Sequence, residues 1–201
     1  MHSILVIEDM SEIKYLDCIG MKKLRESSSG RDRYIINLLF DTGMRVSELV
    51  ETRVSDIDLE HRFIRIGAER SKTHKSRSVR ISPGMADEIR ANIQPGQEYL
   101  LPGRSSRHLN IKTVERIVDR AAQRAGLQEV DSKNKLHRKK VVPHTLRHSH
   151  AVEAILSGVS LPSVSKNLGH ARLSTTEIYL NLAPKAVQDD YSNHNFGGEH
   201  D

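Results

Sequence analysis

Residues 142–182 read VPHTLRHSHAVEAILSGVSLPSVSKNLGHARLSTTEIYLNL, and the pattern of this stretch decides the fold of the chain. Pro143 suits the first turn of a helix, because its missing N–H is not needed there, and Gly158 is a typical end for that helix. Leu161–Leu168 predicts a second short helix. The capping box Ser174–Glu177, with serine at the N-cap and glutamate at the third helical position, predicts the start of a third. We therefore expect short helices joined by tight turns.

Polar side chains are brought to the ends of these helices. His144 and Arg147 are three residues apart, so their side chains leave the same face of the first helix one turn apart. His170 follows the glycine that ends the second helix, and Tyr179 lies in the third. Two imidazoles, a guanidinium and a phenol thus meet at helix ends, which is a recurrent way of building a functional site.

The rest of the chain alternates between helical and extended patterns. Apolar residues recur with the helical period in most segments, but around residues 54–82 the period changes to the alternation of strands. The sequence predicts a mainly α-helical chain with a small antiparallel β-sheet of two or three strands. The expected elements are helices over Ser11–Arg25, Arg31–Asp41, Pro83–Ile93 and Asn110–Ala125, and strands over Phe63–Ile66 and Ser78–Ile81.

Arg45 and Glu48 follow directly after the Thr42-Gly43 turn that closes the second of these helices. Val46 and Leu49 can face a core, which leaves the arginine and the glutamate on another face. One interpretation is an exposed ion pair at spacing i,i+3, worth about 0.2–0.5 kcal/mol. The other is an arginine placed at a helix start to reach an anion. The local pattern leaves both open.

Basic residues are concentrated in two turns and a loop. A lysine at a hairpin tip is usually only solvated, but it can also protonate a leaving oxygen of a phosphate. Residues 133–140 read KNKLHRKK, which is either a solvated loop or a set of contacts to a phosphate backbone, and the second interpretation suits a basic protein. The candidate DNA-binding residues are Lys75, Arg77, Arg104, Lys133, Lys135, Arg138, Lys139 and Lys140.

Composition excludes several classes of protein. The 201 residues carry a net charge of +5, which favours a polyanionic partner. The sequence has no apolar run near the roughly 20 residues that cross a bilayer and no secretory pattern, so we expect a cytoplasmic, nucleoid-associated protein without a membrane partner. A single cysteine, Cys18, excludes an internal disulfide. Three Phe and no Trp argue against a protein that reads single strands by stacking.

The motifs together resemble the catalytic domain of the tyrosine recombinase, or phage integrase, family of DNA strand-exchange enzymes. The similarity runs from about residue 10 to residue 185, and six polar positions match in order and spacing. It implies a catalytic domain over residues 1–185, a flexible tail over 186–201 and the absence of the N-terminal core-binding domain of longer members. The matching segments are Thr42–Leu49, Lys72, His144–His148, Leu168–His170 and Tyr179.

The resemblance assigns roles to the site residues. Arg45 and Arg147 would hold the non-bridging oxygens of the scissile phosphate, a task that suits guanidinium groups because they match phosphate geometry and keep their charge. His144 and His170 would orient the phosphoryl group, and His144 is also a candidate proton acceptor. Glu48 would support the arginines.

The resemblance also makes Tyr179 the nucleophile, which forms a 3′-phosphotyrosyl bond, and Lys72 the general acid for the 5′-oxygen. Phenol has a pKa near 10, so it attacks only where cations favour its charge or a group accepts its proton. Tyr191 is a rival nucleophile, but its acidic surroundings (DDYSN) oppose that role. The exchange of one phosphoester for another requires no cofactor, ATP or metal. A zinc site on His144 and His148 is disfavoured, since Arg147 would repel a cation.

Three functions are compatible with these features. The first is a site-specific DNA recombinase or integrase that acts on double-stranded DNA, as a tetrameric synapse on DNA and a monomer when not bound. The second is relaxation of DNA by a type IB topoisomerase-like activity. The third is a DNA-binding relative that keeps the fold without catalysis. With the core-binding domain absent, we expect DNA binding to be weak, and the tail to be able to dock onto a neighbouring protomer.

Overall fold

The computed structural model describes residues 15–71, 75–104, 107–128 and 141–170. Within these ranges the chain forms seven α-helices and one antiparallel sheet, which confirms the predicted fold class. The helices are α1 Cys18–Glu26, α2 Gly30–Thr42, α3 Val46–Val50, α4 Pro83–Asn92, α5 Ile111–Arg124, α6 Pro143–Leu156 and α7 Leu161–Leu168. The strands are β1 Ile57–Asp58, β2 Phe63–Ile66 and β3 Arg77–Arg80.

Helix α2 lies at the centre of the core. Its apolar residues Ile35, Ile36, Leu38 and Leu39 are fully buried, and the helix packs against α1, α4, α5 and α6. An apolar stripe this wide is typical of a helix surrounded by other elements. Because α2 is held on several sides, the turn that follows it, where Arg45 lies, starts from a fixed position.

The sheet has the order β1-β2-β3, and β2 pairs with both neighbours in antiparallel register. Ile64 lies opposite Val79, and both are fully buried. Side chains alternate between the two faces of a strand. Arg77 therefore points to the same inner face as Val79, whereas Ser78 and Arg80 are exposed on the other face. The register thus turns one arginine of the strand toward the protein interior.

Helices α6 and α7 form a second, smaller apolar cluster. Val152 and Ile155 of α6 pack with Val164 and Leu168 of α7. Helix α7 ends at Gly169, which has a left-handed backbone with φ of +68°. This turn delivers the next residue, His170, to the side of the molecule where α6 begins.

Several predicted boundaries move by a few residues. Helix α1 begins at Cys18, because Asp17 is extended and its carboxylate accepts a hydrogen bond from the Gly20 amide at 2.7 Å. The predicted start of this helix, Ser11, lies outside the described residues. Strand β3 begins at Arg77, one residue early, and β1 is an added strand. The predicted helix that starts at the capping box of residues 174–177 lies outside the described residues. Within the described ranges, no helix is both long enough and apolar enough to span a bilayer.

Gly43 allows α2 and α6 to approach closely. It ends α2 with a φ of +60°, and a Cβ atom at this position would lie 2.5 Å from Cδ2 of His150 in α6. Gly126, after α5, has a similar φ of +66° but nothing within 4 Å of its missing Cβ. The two glycines therefore share a left-handed backbone conformation but differ in the space around them.

We expect Gly43→Ala to destabilise the protein by about 2–4 kcal/mol, through left-handed strain and overpacking, and Gly126→Ala by about 1 kcal/mol, through strain alone. The measurement is urea unfolding of both variants and the wild type. Equal losses for the two variants would contradict the close packing of Gly43 against His150.

Candidate active site

Arg45 is held by Glu48 at the start of α3. The Glu48 carboxylate accepts hydrogen bonds from the Arg45 backbone amide at 2.9 Å and from its guanidinium Nη1 at 3.1 Å. The first of these bonds satisfies an amide that the helix leaves without a partner, as in a capping box. The predicted i,i+3 ion pair forms, but it is not an exposed one, since the Glu48 side chain is fully buried and that of Arg45 is 22% exposed. The glutamate fixes both the backbone and the head group of Arg45.

The same carboxylate is also bound by Arg77 from β3. The two guanidinium nitrogens Nη1 and Nη2 lie 2.8 and 2.7 Å from Oε1 and Oε2 of Glu48, which is a bidentate geometry. Burial by itself would raise the pKa of the Glu48 carboxyl, but the hydrogen bonds and charges of Arg77 and Arg45 outweigh it and hold the pKa below its usual range. Glu48 is therefore ionised at neutral pH although it is almost fully buried.

Arg147 joins α6 to two other helix ends. Its guanidinium donates to the carbonyl of Gly43, after α2, and to the carbonyl of Leu168, at the end of α7, both at 2.7 Å. The residue is only 1% exposed. Carbonyl oxygens at helix ends carry partial negative charge, which favours a buried cation. These two bonds use two of the five N–H donors of a guanidinium and fix its orientation.

Three histidines surround Arg147. His144 is exposed, and its ring meets that of His148 edge-on, with 4.4 Å between the ring centroids. Burial, and then the charges of the neighbouring basic groups, lower the pKa of His148 to about 4. Burial, followed by the charges of Arg147, Arg45 and the other nearby basic groups, lowers the pKa of His170 to about 4 as well. Both rings are neutral at pH 7, so the arginines supply the positive charge.

His150 and Asn167 form a polar link behind the site. The Nδ1 atom of His150 lies 2.8 Å from the carbonyl oxygen of Phe40, which fixes Nδ1 as a donor. Nε2 then accepts from the Asn167 amide at 3.3 Å, and that amide also lies 3.3 Å from the carbonyl of Thr42. His150 therefore contacts the main chain of α2. Asn167 was not predicted, because its partners are distant in the sequence.

Arg45, His144 and Arg147 converge on one cleft of about 400 Å³. Glu115 on α5 also lies at its wall, and sequence analysis missed this residue because it alternates with other charges on an exposed helix face. The residues that line the cleft are Met44, Arg45, Val46, Ser47, Glu115, Val142, Pro143, His144 and Arg147.

The predicted DNA contacts divide into three groups. Lys75 and Arg104 are exposed, as such contacts require. Arg77 is different, since its side chain is only 6% exposed and its guanidinium is paired with Glu48. The expectation that Arg77 contacts DNA from a basic turn is therefore corrected, because the strand register directs this side chain inward. The other five, Lys133, Lys135, Arg138, Lys139 and Lys140, lie outside the described residues.

The predicted acid and nucleophile, Lys72 and Tyr179, also lie outside the described residues, as does Tyr191. The tyrosines that the structure describes are Tyr15, Tyr34 and Tyr99, and none of these three lines the cleft. Burial, and then the charge of Glu88, raise the pKa of Tyr34 well above its usual value, which makes its phenol a poor nucleophile. Within the described ranges, no cluster of three or more His, Cys, Asp or Glu could hold a metal ion.

The geometry defines a class of site. Two arginines are held by buried acceptors, and two histidines of lowered pKa lie beside them, next to an open cleft. Such a site suits an oxyanion with several acceptor oxygens, and a phosphate diester is the common biological example.

Comparison with known proteins identifies the family of the chain. The pattern of the phage integrase family matches residues 14–186, so the chain belongs to this family. It is 33% identical over 168 residues to "Tyrosine recombinase XerD" of Halalkalibacterium halodurans, covering 84% of this chain and 55% of that protein. It is 37% identical over 155 residues to "Tyrosine recombinase XerA" of Thermococcus kodakarensis, covering 74% of this chain and 50% of that protein. The chain thus spans about half the length of these relatives.

Solved structures share the fold. The crystal structure of XerA recombinase superimposes with a TM-score of 0.71 and 27% identity, covering 92% of this chain and 66% of that one. The XerH site-specific recombinase, bound to its palindromic difH substrate in a post-cleavage complex, gives a TM-score of 0.70 at 24% identity, covering 91% of this chain and 54% of that one. The resemblance to this family that the motifs indicated is confirmed.

The lowered pKa values of His148 and His170 predict a stability that falls in acid. Both groups bind a proton more readily in the unfolded chain, with a pKa of about 6.5, than in the folded one. The contribution of these two histidines to folding stability is therefore fully present above pH 6.5 and is lost as the pH falls toward 4. Because both rings keep some contact with water, we expect His148 to contribute about 1 kcal/mol of the loss between pH 7.5 and pH 5.

This contribution can be measured by urea unfolding at the two pH values. His148→Gln should lose less stability than the wild type between these two pH values, because the variant has no imidazole at this position to protonate. An unchanged pH dependence in His148→Gln would show that the ring is not kept neutral by the fold.

Proposed function

We propose that this domain cleaves and rejoins double-stranded DNA as a site-specific recombinase or integrase. The observation that carries the proposal is the convergence of Arg45, His144 and Arg147 on one cleft, with Glu48 and two carbonyl oxygens fixing the arginines. Guanidinium groups that cannot reorient or lose their charge are suited to stabilise a phosphorane, whose negative charge grows during attack. Two neutral histidines nearby add hydrogen bonds without adding a further charge.

In this proposal the Tyr179 phenol attacks the scissile phosphorus. A bond forms between the phenolic oxygen and phosphorus as the bond to the 5′-oxygen breaks, and Lys72 gives its proton to that oxygen. His144, exposed at the cleft, is a candidate to accept the phenolic proton. Attack by a 5′-hydroxyl then reverses these steps and releases the tyrosine. One phosphoester replaces another, so the energy of the bond is conserved, and no ATP, metal or cofactor takes part.

We further propose that the substrate is held by basic residues around the cleft. Solved relatives of the same fold include XerH bound to difH DNA and a lambda integrase dimer bound to a core site. A tetrameric synapse on DNA, assembled from protein that is monomeric in solution, follows from the exchange of two duplexes. The site of action is then the nucleoid in the cytoplasm.

The test of the nucleophile is a nicked suicide duplex that carries the recombination site, in which the short 5′-hydroxyl fragment diffuses away after cleavage. We expect the wild type to form a covalent protein–DNA adduct on a denaturing gel, and Tyr179→Phe to form none, because phenylalanine has no oxygen to bond to phosphorus. Tyr191→Phe is the matched control and should keep the adduct.

Three results would contradict parts of this proposal. An adduct that survives Tyr179→Phe would show that a different tyrosine is the nucleophile. The absence of an adduct with the wild type would favour a fold retained for DNA binding alone. Relaxation of a supercoiled plasmid without recombinant product would favour a topoisomerase-like activity on the same chemistry.

The basic segment of residues 133–140 gives a separate prediction. If Lys139 and Lys140 contact backbone phosphates, Lys139→Gln/Lys140→Gln should weaken binding to all duplexes alike and reduce the slope of log affinity against log salt by about 2. The measurement is a fluorescence anisotropy titration at several salt concentrations. Lys22→Gln/Lys23→Gln on α1 is the control of equal charge. Equal slopes for the two variants would show that the segment is a solvated loop.

A further inference from the structure

The environment of Arg77 indicates a role other than the DNA contact that its place in a basic stretch of sequence suggested. It lies on the inner face of β3 and is less exposed than Arg45, at 6% against 22%. Its Nε atom donates to the carbonyl of Asn167 at 3.0 Å, so three N–H groups of one guanidinium are used within the protein. Arg77 is not among the residues that line the cleft, whereas Arg45 and Arg147 are, so its position favours an action through Glu48 over direct contact with the substrate.

Glu48 is the partner that explains why the cation is there. Its two oxygens accept four hydrogen bonds, two from Arg45 and two from Arg77, which fills the roughly four lone-pair sites of a carboxylate. Two guanidinium charges and one carboxylate charge leave a net charge of +1 in this group. The side chain that carries this charge toward the cleft is Arg45.

Without Arg77 the net charge of this group would be different. Glu48 and Arg45 alone would form a neutral pair, and the attraction of Arg45 for an anion in the cleft would be largely cancelled. Glu48 is needed, since it holds the backbone and the head group of Arg45. A second cation from behind allows the carboxylate to orient Arg45 without neutralising it.

We propose that Arg77 is a positioning residue that compensates the charge of Glu48, so that Arg45 is both oriented and fully available to a phosphate diester. The inference rests on the proposed function for its biological meaning, but it is a statement about anion binding that cleavage is not needed to test. Arg77 also packs against Gly169, where an added Cβ would lie 2.8 Å from its Cδ and Nε atoms. It therefore links the turn before His170 to the turn that carries Arg45.

The probe is dimethyl phosphate, the smallest anionic phosphate diester, with neutral trimethyl phosphate for comparison. Binding is followed by NMR through the backbone amides of Met44, Val46 and His144, which line the cleft. The wild type should bind the anion with saturable shifts and should not bind the neutral ester. Arg77→Met should weaken anion binding roughly tenfold, the effect of one charge at short range in a partly buried site, and Arg77→Lys should lie between the two.

The matched control is Arg80→Met. Arg80 lies on the same strand, but it is exposed on the outer face and its guanidinium donates to the carbonyl of His61. This variant should bind dimethyl phosphate as the wild type does. A loss of affinity in Arg80→Met equal to that in Arg77→Met would show that general surface charge is responsible, and would overturn the inference.

Arg77→Met leaves the buried Glu48 with one cation, so it is expected to be less stable as well. The double variant Arg77→Met/Glu48→Gln removes both charges, and it should fold and recover most of the lost affinity. If the folded double variant binds as weakly as Arg77→Met, or if the wild type gives no saturable shift, the charge role is wrong. Anion binding that depends on Arg77 in a domain that forms no covalent DNA adduct would leave this inference standing while the proposed function fails.

Discussion

The buried carboxylate of Glu48 is the interaction on which the site depends. Desolvation opposes an ionised carboxylate in a protein interior, and only close partners can offset it. Arg45 and Arg77 provide these partners from two different elements, so the carboxylate joins the turn after α2 to strand β3. The site and the fold are therefore coupled, because the charge cannot be buried unless the helix turn and the strand are both in place.

Arg147 extends this coupling to the C-terminal helices. By donating to the carbonyls of Gly43 and Leu168, it holds the ends of α2 and α7 against α6. The position of Gly43 is critical, since a side chain there would collide with His150 and move α6 away from α2. Arg147 and Arg77 are thus held by acceptors from elements far apart in sequence, whereas Arg45 is held by a carboxylate on its own helix. A site assembled in this way is preorganised, which is the property that electrostatic stabilisation of a transition state requires.

The histidines near the cleft differ in their burial and therefore in their protonation. Burial and neighbouring cations lower the pKa of His148 and His170 to about 4, so neither competes with the arginines as a source of charge. His144, at the exposed start of α6, differs from them in its access to the cleft. The same residue type is therefore neutral beside the arginines in one place and, in the proposed function, a candidate proton acceptor in another. Burial is the physical difference between the two cases.

The sequence by itself determined most helices of the described residues and the two longer strands, because apolar periodicity, glycine at helix ends and proline at helix starts are local signals. It also indicated three of the residues that line the cleft, Arg45, His144 and Arg147. It also determined the family, since motif spacing survives where overall similarity is modest. Only the tertiary structure decided the direction and the partner of the Arg77 side chain. In the sequence it is one of several basic residues near a turn, but the register of β2 and β3 turns it inward toward Glu48. Glu115 and Asn167 joined the site for the same reason, because contacts between distant segments leave no periodic signal in the chain.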